Sequence, residues 1–310
     1  MLGYRRYRVS VLGLGTMGMR HVRVLSALRD RFELVGAFDV RGDLERSPHA
    51  RVLRGEAEAI ALAEVVVVAT PIEAHGGAVA RALSAGRHVL VEKPLCPTAA
   101  EARALAAASL RGPAHLFVGH SERFNPVVRT LARLLRRDRV LAIDLRRIGP
   151  SRHCEFGVLL NLGVHDFDLA AYLGGGGVVL QSALGGRDFA HALFATGSGA
   201  IGHVYLDGAS PTRTRAITVT TERWTYDGDL LGGRLFRTAR GTASRTEVPL
   251  PLEEPLRAQA IALGDALDGG GHREIASGTD GAASVDLAER AALHCASAAS
   301  TENLSVFAPA

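Results

Sequence analysis

Lys93 is the single lysine in a chain whose Lys+Arg total is 36, so every other strong base is arginine. A guanidinium stays charged in a protein, whereas an ammonium can lower its pKa on burial and trade a proton. A lone lysine could also be an accident of composition, but its setting argues for chemistry. Lys93 closes the run His88-Val-Leu-Val-Glu-Lys-Pro94, which reads as a buried parallel strand carrying Glu92 and Lys93 to its carboxyl end. Ligands of open α/β sheets sit at that end. Pro94 fits a turn that aims Lys93, with a cis bond left open.

A second constellation lies near the start. Arg8 to Gly13 reads as a strand, Gly13-Leu-Gly15-Thr16-Met17-Gly18 as a glycine turn, and the pattern to about Ala27 as a helix. Gly13 allows the sharp turn, Gly15 clears the path of a pyrophosphate, and Gly18 lets helix and strand pack closely; the phosphates meet the positive helix end. The next strand ends in Asp39, whose carboxylate would take ribose hydroxyls and repel a 2′-phosphate. That favours NAD, while Arg41 two residues later keeps NADP open.

Composition sets the frame around these residues. The 310 residues suit two domains, with 47% hydrophobic and 22% charged residues and 35 glycines. The formal charge of +4 is interleaved with acids, which leaves little for nucleic acid. Cys96, Cys154 and Cys295 make neither a disulfide framework nor a zinc spacing, so a reducing, cytoplasmic setting and no metal are expected. The basic start before Val9 has the outline of a leader peptide, but its glycines serve the turn. No run of a membrane span's length is present.

Helices are expected at about 57–62, 73–85 and 98–109, and strands at 65–71 and 115–120. Such alternation implies a doubly wound parallel sheet, with a helix from Ser121 onward crossing into a second domain. Beyond it, alternating segments at 140–148, 178–184, 189–196, 200–206, 216–221 and 223–226 imply a large, mostly antiparallel sheet. Helices are expected at about 165–173, 254–267 and 280–299. The fold class is α/β: a Rossmann domain over 1–121 and an α+β domain over 122–310. The bare sheet face predicts a homodimer or homotetramer.

The order GxGxxG with His21 after it, Thr70-Pro71 with His75, Glu92-Lys93-Pro94, and Gly163-Val-His165-Asp-Phe-Asp168 resembles the glucose–fructose oxidoreductase, inositol dehydrogenase and MocA family. Val118 to Pro126, Arg147 to Pro150 leading to Asp168, and Ser210 to Arg213 with Arg215 look like its UDP-N-acetylglucosamine 3-dehydrogenase branch. The resemblance implies reversible oxidation of a sugar or cyclitol hydroxyl by a nicotinamide cofactor, here C3 of a nucleotide-linked hexose. It places Thr70, Pro71, His75, Glu92 and Lys93 beside the cofactor, along with Gly13, Gly15, Thr16, Met17, Gly18, Asp39 and Arg41. Where the family carries a catalytic Asp this chain has Asn161, which orients but carries no proton.

Proton handling then falls to Lys93 and His165: His165 takes the hydroxyl proton and Lys93 hydrogen-bonds the same oxygen, or the roles are exchanged. A helix N-terminus at His165 would lower its pKa. A diphosphate substrate needs guanidinium forks, for which Arg123, Arg147, Arg152, Arg213 and Arg215 are the candidates. Asp168 is either an orienting partner or a first-turn acid, and His120 is expected to pack. Other readings are a cyclitol or aldose dehydrogenase, a deoxysugar ketoreductase, an NAD-dependent glycosidase, or an inactive cofactor-binding regulator.

Overall fold

A computed structural model describes residues 5–41, 50–151, 154–270 and 274–300. The chain forms two compact units: Met1–Asn125 with Leu252–Val285, and Pro126–Pro251 with Asp286–Ala310.

The first unit follows the sequence pattern closely. Strands β1 (Tyr7–Leu12), β2 (Phe32–Phe38), β3 (Val65–Val68), β4 (His88–Glu92) and β5 (Leu116–Gly119) alternate with helices α1 (Thr16–Ala27), α2 (Glu56–Leu62), α3 (Ile72–Ser84) and α4 (Ala99–Arg111). Val65 to Val68 are wholly buried, as a β-branched run covered on both faces must be. The sheet runs β2-β1-β3-β4-β5 in parallel register, so its order reverses at β1. Ligands bind in the crevice opened by such a reversal, at the carboxyl ends of the strands. Thr98 caps α4 by accepting from the Glu101 N–H at 3.3 Å.

A short turn of 3₁₀ helix, Ser121–Phe124, and α5 (Pro126–Leu134) stand where one helix was expected to cross into the second domain. The unit boundary falls at Asn125 rather than 121, and a later segment returns to the first unit. That segment holds α7 (Pro255–Leu267), which packs on α1 and the 3₁₀ turn, and β14 (Ala276–Ser277), which pairs antiparallel with β5. Leu256 and Leu263 share a core with Val22, Leu25 and Phe32. An apolar helix face settles where it buries most, whatever its distance along the chain.

The second unit is an eight-stranded sheet. It comprises β6 (Val140–Ile148), β7 (Val178–Gly185), β8 (Phe189–Thr196), β9 (Ile201–Asp207), β10 (Thr214–Thr221), β11 (Trp224–Asp229), β12 (Arg234–Ala239) and β13 (Arg245–Glu247). Its order is β13-β12-β11-β10-β6-β9-β8-β7, antiparallel except for the central pair β6 and β9. Helices α5 and α6 (Val164–Leu173) pack on the buried face of Ile143, Leu145, Val204, Leu206 and Ile217. The cross-strand register gathers Asp144, Arg146, His191, Leu193, Ile201, His203, Tyr205 and Thr218 on the opposite face. A final helix, α8, covers Gly278–Ser300. Among the described residues no helix is long and apolar enough to cross a membrane.

Candidate active site

The glycine loop sits at the sheet reversal, and each glycine has a separate reason to lack a side chain. Gly13 takes φ +88°, and a Cβ there would stand 2.5 Å from the Ala69 carbonyl oxygen. At Gly18 a Cβ would collide with the Gly13 carbonyl, whereas at Gly15 it would project into open space. That space lies at the start of α1, which has no side-chain cap and no acid in its first turn. N–H groups and the positive helix end therefore face an uncluttered cradle, which suits a pyrophosphate.

Asp39 closes this cradle. Its carboxylate accepts from the Leu14 N–H at 2.7 Å, from the Arg41 N–H at 2.9 Å, and from both arms of the Arg41 fork at 3.0 Å. The Arg41 fork and the two backbone donors outweigh burial and hold the carboxyl down to about 2. Asp39 is therefore an anion that braces the loop. Arg41 is exposed and reaches beyond it.

Beside the cradle, β4 ends in Glu92 and the half-buried Lys93, and the Lys93–Pro94 bond is cis. Thr70 and Pro71 follow the neighbouring β3. His75 bridges the two strand ends, 2.8 Å from the carbonyl oxygens of both Thr70 and Pro94. Burial holds this imidazole below its usual pKa, so at neutral pH it is uncharged and donates one hydrogen between them. Glu92 is only 8% exposed and pairs with His21 of α1 at 2.7 Å. This partner lies 71 positions away in the sequence.

In the second unit, α6 is not a free helix start. The helical run begins before it and passes through a widened, π-type turn at Leu159–Gly163, and Gly163 itself is helical at φ −63° and ψ −29°. His165 therefore lies inside a continuous helix, and the dipole argument for its pKa does not apply. Such turns recur at functional sites. Asn161 is within this turn and donates to the Ser151 hydroxyl, while His165 is half-buried four residues on.

Asp166, next to His165, is held by Arg147 of β6. The pair is bidentate at 2.8 and 3.0 Å, and the residues are 1% and 2% exposed. The fork expected to meet substrate is thus engaged within the fold. Arg123 is buried, with one guanidinium nitrogen 3.6 Å from the partly exposed Asp280. Asp166 is a buried acid that a fork satisfies on both oxygens. Arg213 is exposed and packs over Gly149, where its Cγ lies 3.1 Å from an ideal Cβ position. His120 is buried against the Ser284 hydroxyl at 3.2 Å, and Asp168 is buried on α6. Arg152 lies outside the described residues.

The parallel sheet, its reversal and the glycine cradle define a dinucleotide-binding domain. Residues 7–120 match the family described as "Oxidoreductase family, NAD-binding Rossmann fold". The chain is similar to UDP-N-acetylglucosamine 3-dehydrogenase of Acidithiobacillus ferrooxidans, 26% identical over 254 residues, 78% of this chain and 80% of that one. The solved structure of that enzyme superposes with a TM-score of 0.86 over 94% of this chain and 99% of its own, at 22% identity. The structure of GenD2 from gentamicin A biosynthesis, in complex with NAD, is 27% identical with a TM-score of 0.76, over 94% and 96% of the two chains. Inositol 2-dehydrogenase 2 of Paenarthrobacter aurescens is 30% identical over 202 residues, 60% of each chain.

Proposed function

We propose that this oxidoreductase exchanges hydride between NAD and a secondary hydroxyl of a sugar, specifically C3 of a nucleotide-linked hexose, in the cytoplasm. The observation that carries the reading is the sole lysine, half-buried at the carboxyl end of β4 and one strand from the glycine cradle. The likeness to UDP-N-acetylglucosamine 3-dehydrogenase supplies the substrate class. NAD, held by Gly13, Gly15, Thr16, Met17, Gly18, Asp39 and Arg41, supplies the hydride acceptor. Thr70, Pro71, His75 and Glu92 shape the ground beside Lys93. His165 takes the hydroxyl proton, and Lys93 donates to the same oxygen as charge builds on it. Asn161 orients the sugar, and exposed Arg213 offers a fork to the diphosphate.

The test is a panel of UDP- and dTDP-hexoses, inositol and free aldoses with NAD and NADP, followed by nicotinamide absorbance. UDP-N-acetylhexosamine should be turned over fastest. Activity confined to inositol would replace the nucleotide sugar by a cyclitol. The GenD2 likeness favours one second reading, a sugar ketoreductase of secondary metabolism, for which reduction of ketosugars would exceed every oxidation in the panel.

Asp39 also carries a prediction. Asp39→Ser removes the charge that repels a 2′-phosphate and releases the Arg41 fork. The NADP/NAD ratio of kcat/KM should rise by about 10-fold or more, the size of one charge-assisted contact. An unchanged ratio would leave Asp39 as a brace of the loop alone.

We infer as well that the open face of the eight-stranded sheet is covered by a second copy of the chain. Leu193 and Ile201 are 51% and 66% exposed there, beside the opposite charges of Asp144 and Arg146, as a self-complementary surface requires. Light scattering should give a dimer or tetramer, and Leu193→Glu with Ile201→Glu should give monomers. A monomeric parent protein would refute the interface.

A further inference from the structure

A histidine of the glycine-loop helix reaches the strand end that carries Lys93. His21 follows Gly18 by three residues on α1 and is 3% exposed; its Nε2 lies 2.7 Å from Glu92 Oε1. An ionised carboxylate only accepts, so the shared hydrogen sits on Nε2. The neighbouring strand makes room for this contact. A Cβ at Gly119 of β5 would stand 3.1 Å from both Oε1 and Cδ of Glu92. Two elements of the first unit, α1 and β5, are therefore cut to fit one buried carboxylate.

Burial pushes the Glu92 carboxyl up. The His21 hydrogen bond, followed by the electrostatic influence of the neighbouring His21, Lys93 and His75 side chains, overcomes that push and holds it below the usual carboxylate range. The groups bearing on this carboxylate are thus His21 from α1, Lys93 from its own strand end and His75 from α3, with Gly119 of β5 packed against it. A buried charge held by a short hydrogen bond of this kind depends strongly on its donor.

We propose that His21 is a positioning residue for Lys93, its Nε2–H fixing the Glu92 carboxylate as a counter-charge one residue from the amine. The inference rests on the reading of Lys93 as the group that meets the substrate oxygen, but its consequence is visible without substrate. Glu92 and Lys93 are coupled, so a carboxylate that keeps its proton where the amine titrates no longer favours the ammonium. Loss of the His21 donor leaves burial dominant at Glu92, and the ammonium at Lys93 loses stabilisation.

Because Lys93 is the sole lysine, protein grown on lysine labelled with carbon-13 at Cε shows one lysine Cε resonance, and its titration reports this amine alone. His21→Asn, whose shorter amide falls away from Glu92, should lower the midpoint by about one pH unit. His21→Gln, with an amide of longer reach, should recover most of that loss. Glu92→Gln should lower the midpoint at least as far as His21→Asn does, and it decides the matter if the asparagine variant does not fold. A midpoint within ~0.3 unit of the parent in either His21→Asn or Glu92→Gln overturns the proposal. So does a fall that His21→Gln shares in full. In steady state the alkaline limb of kcat should move with the NMR midpoint, which a purely structural role of His21 would not produce. A shifted midpoint without turnover of any sugar would sink the substrate reading and leave the His21–Glu92–Lys93 coupling standing. Turnover with an unshifted midpoint would do the reverse.

Discussion

Lys93→Arg is expected to cut kcat by about 10²- to 10⁴-fold, the usual contribution of a positioned proton-handling group, while NAD affinity stays within about threefold. The substitution keeps the positive charge, so binding that needs only charge survives. A compact ammonium on a flexible stem is exchanged for a planar fork that does not deprotonate. Lys93 is half-buried, so a bulkier guanidinium does not reproduce the position of its ammonium. Steady-state rates on the best substrate of the panel and NADH fluorescence titration measure the two quantities separately. Retention of more than about one tenth of kcat would remove Lys93 from the chemistry. A parallel loss of NAD affinity would make it a cofactor ligand instead.

Arg147→Met should lower stability by about 3–5 kcal/mol, because it strands the Asp166 carboxylate in the interior. Asp166 is 1% exposed, and both of its oxygens are taken by the fork. The contact ties β6 to the helix that bears His165, so its loss also slackens the neighbouring imidazole. Guanidinium unfolding followed by circular dichroism would show the shift in midpoint. The double variant Arg147→Met with Asp166→Leu should recover most of the loss, since an apolar pair of similar volume leaves no buried charge. A single variant within about 1 kcal/mol of the parent would mean that water reaches this carboxylate.

The Rossmann unit was legible because its signals are local. Glycines at fixed offsets and a run of four valines state a turn and a doubly covered strand within a few residues. What escaped the sequence depends on partners far apart. His21 and Glu92 are separated by 71 positions, and Arg147 and Asp166 by 19. In a chain where arginine is nearly the only strong base, residue type cannot distinguish a fork that binds a ligand from one that satisfies a buried acid. The hairpin of β12 and β13 was missed for a different reason. Its aromatic, Phe236, is covered by the stems and forks of Arg234 and Arg245, which reads as polar sequence rather than as a half-buried strand. The helix expected to begin at His165 begins earlier, because Gly163 before it takes ordinary helical backbone.

The widened turn at Leu159–Gly163 has a further meaning for how this lobe tolerates change in length. Such a bulge holds one residue more than regular winding needs, and each residue of an α-helix sweeps about 100° around the axis. Deleting Leu162 or Gly163 would let the coil relax to its ordinary pitch and move Asn161 around the axis relative to His165. The alignment of these two side chains is therefore encoded in a count of residues as much as in their identities, so a one-residue gap here would be more damaging than most point changes.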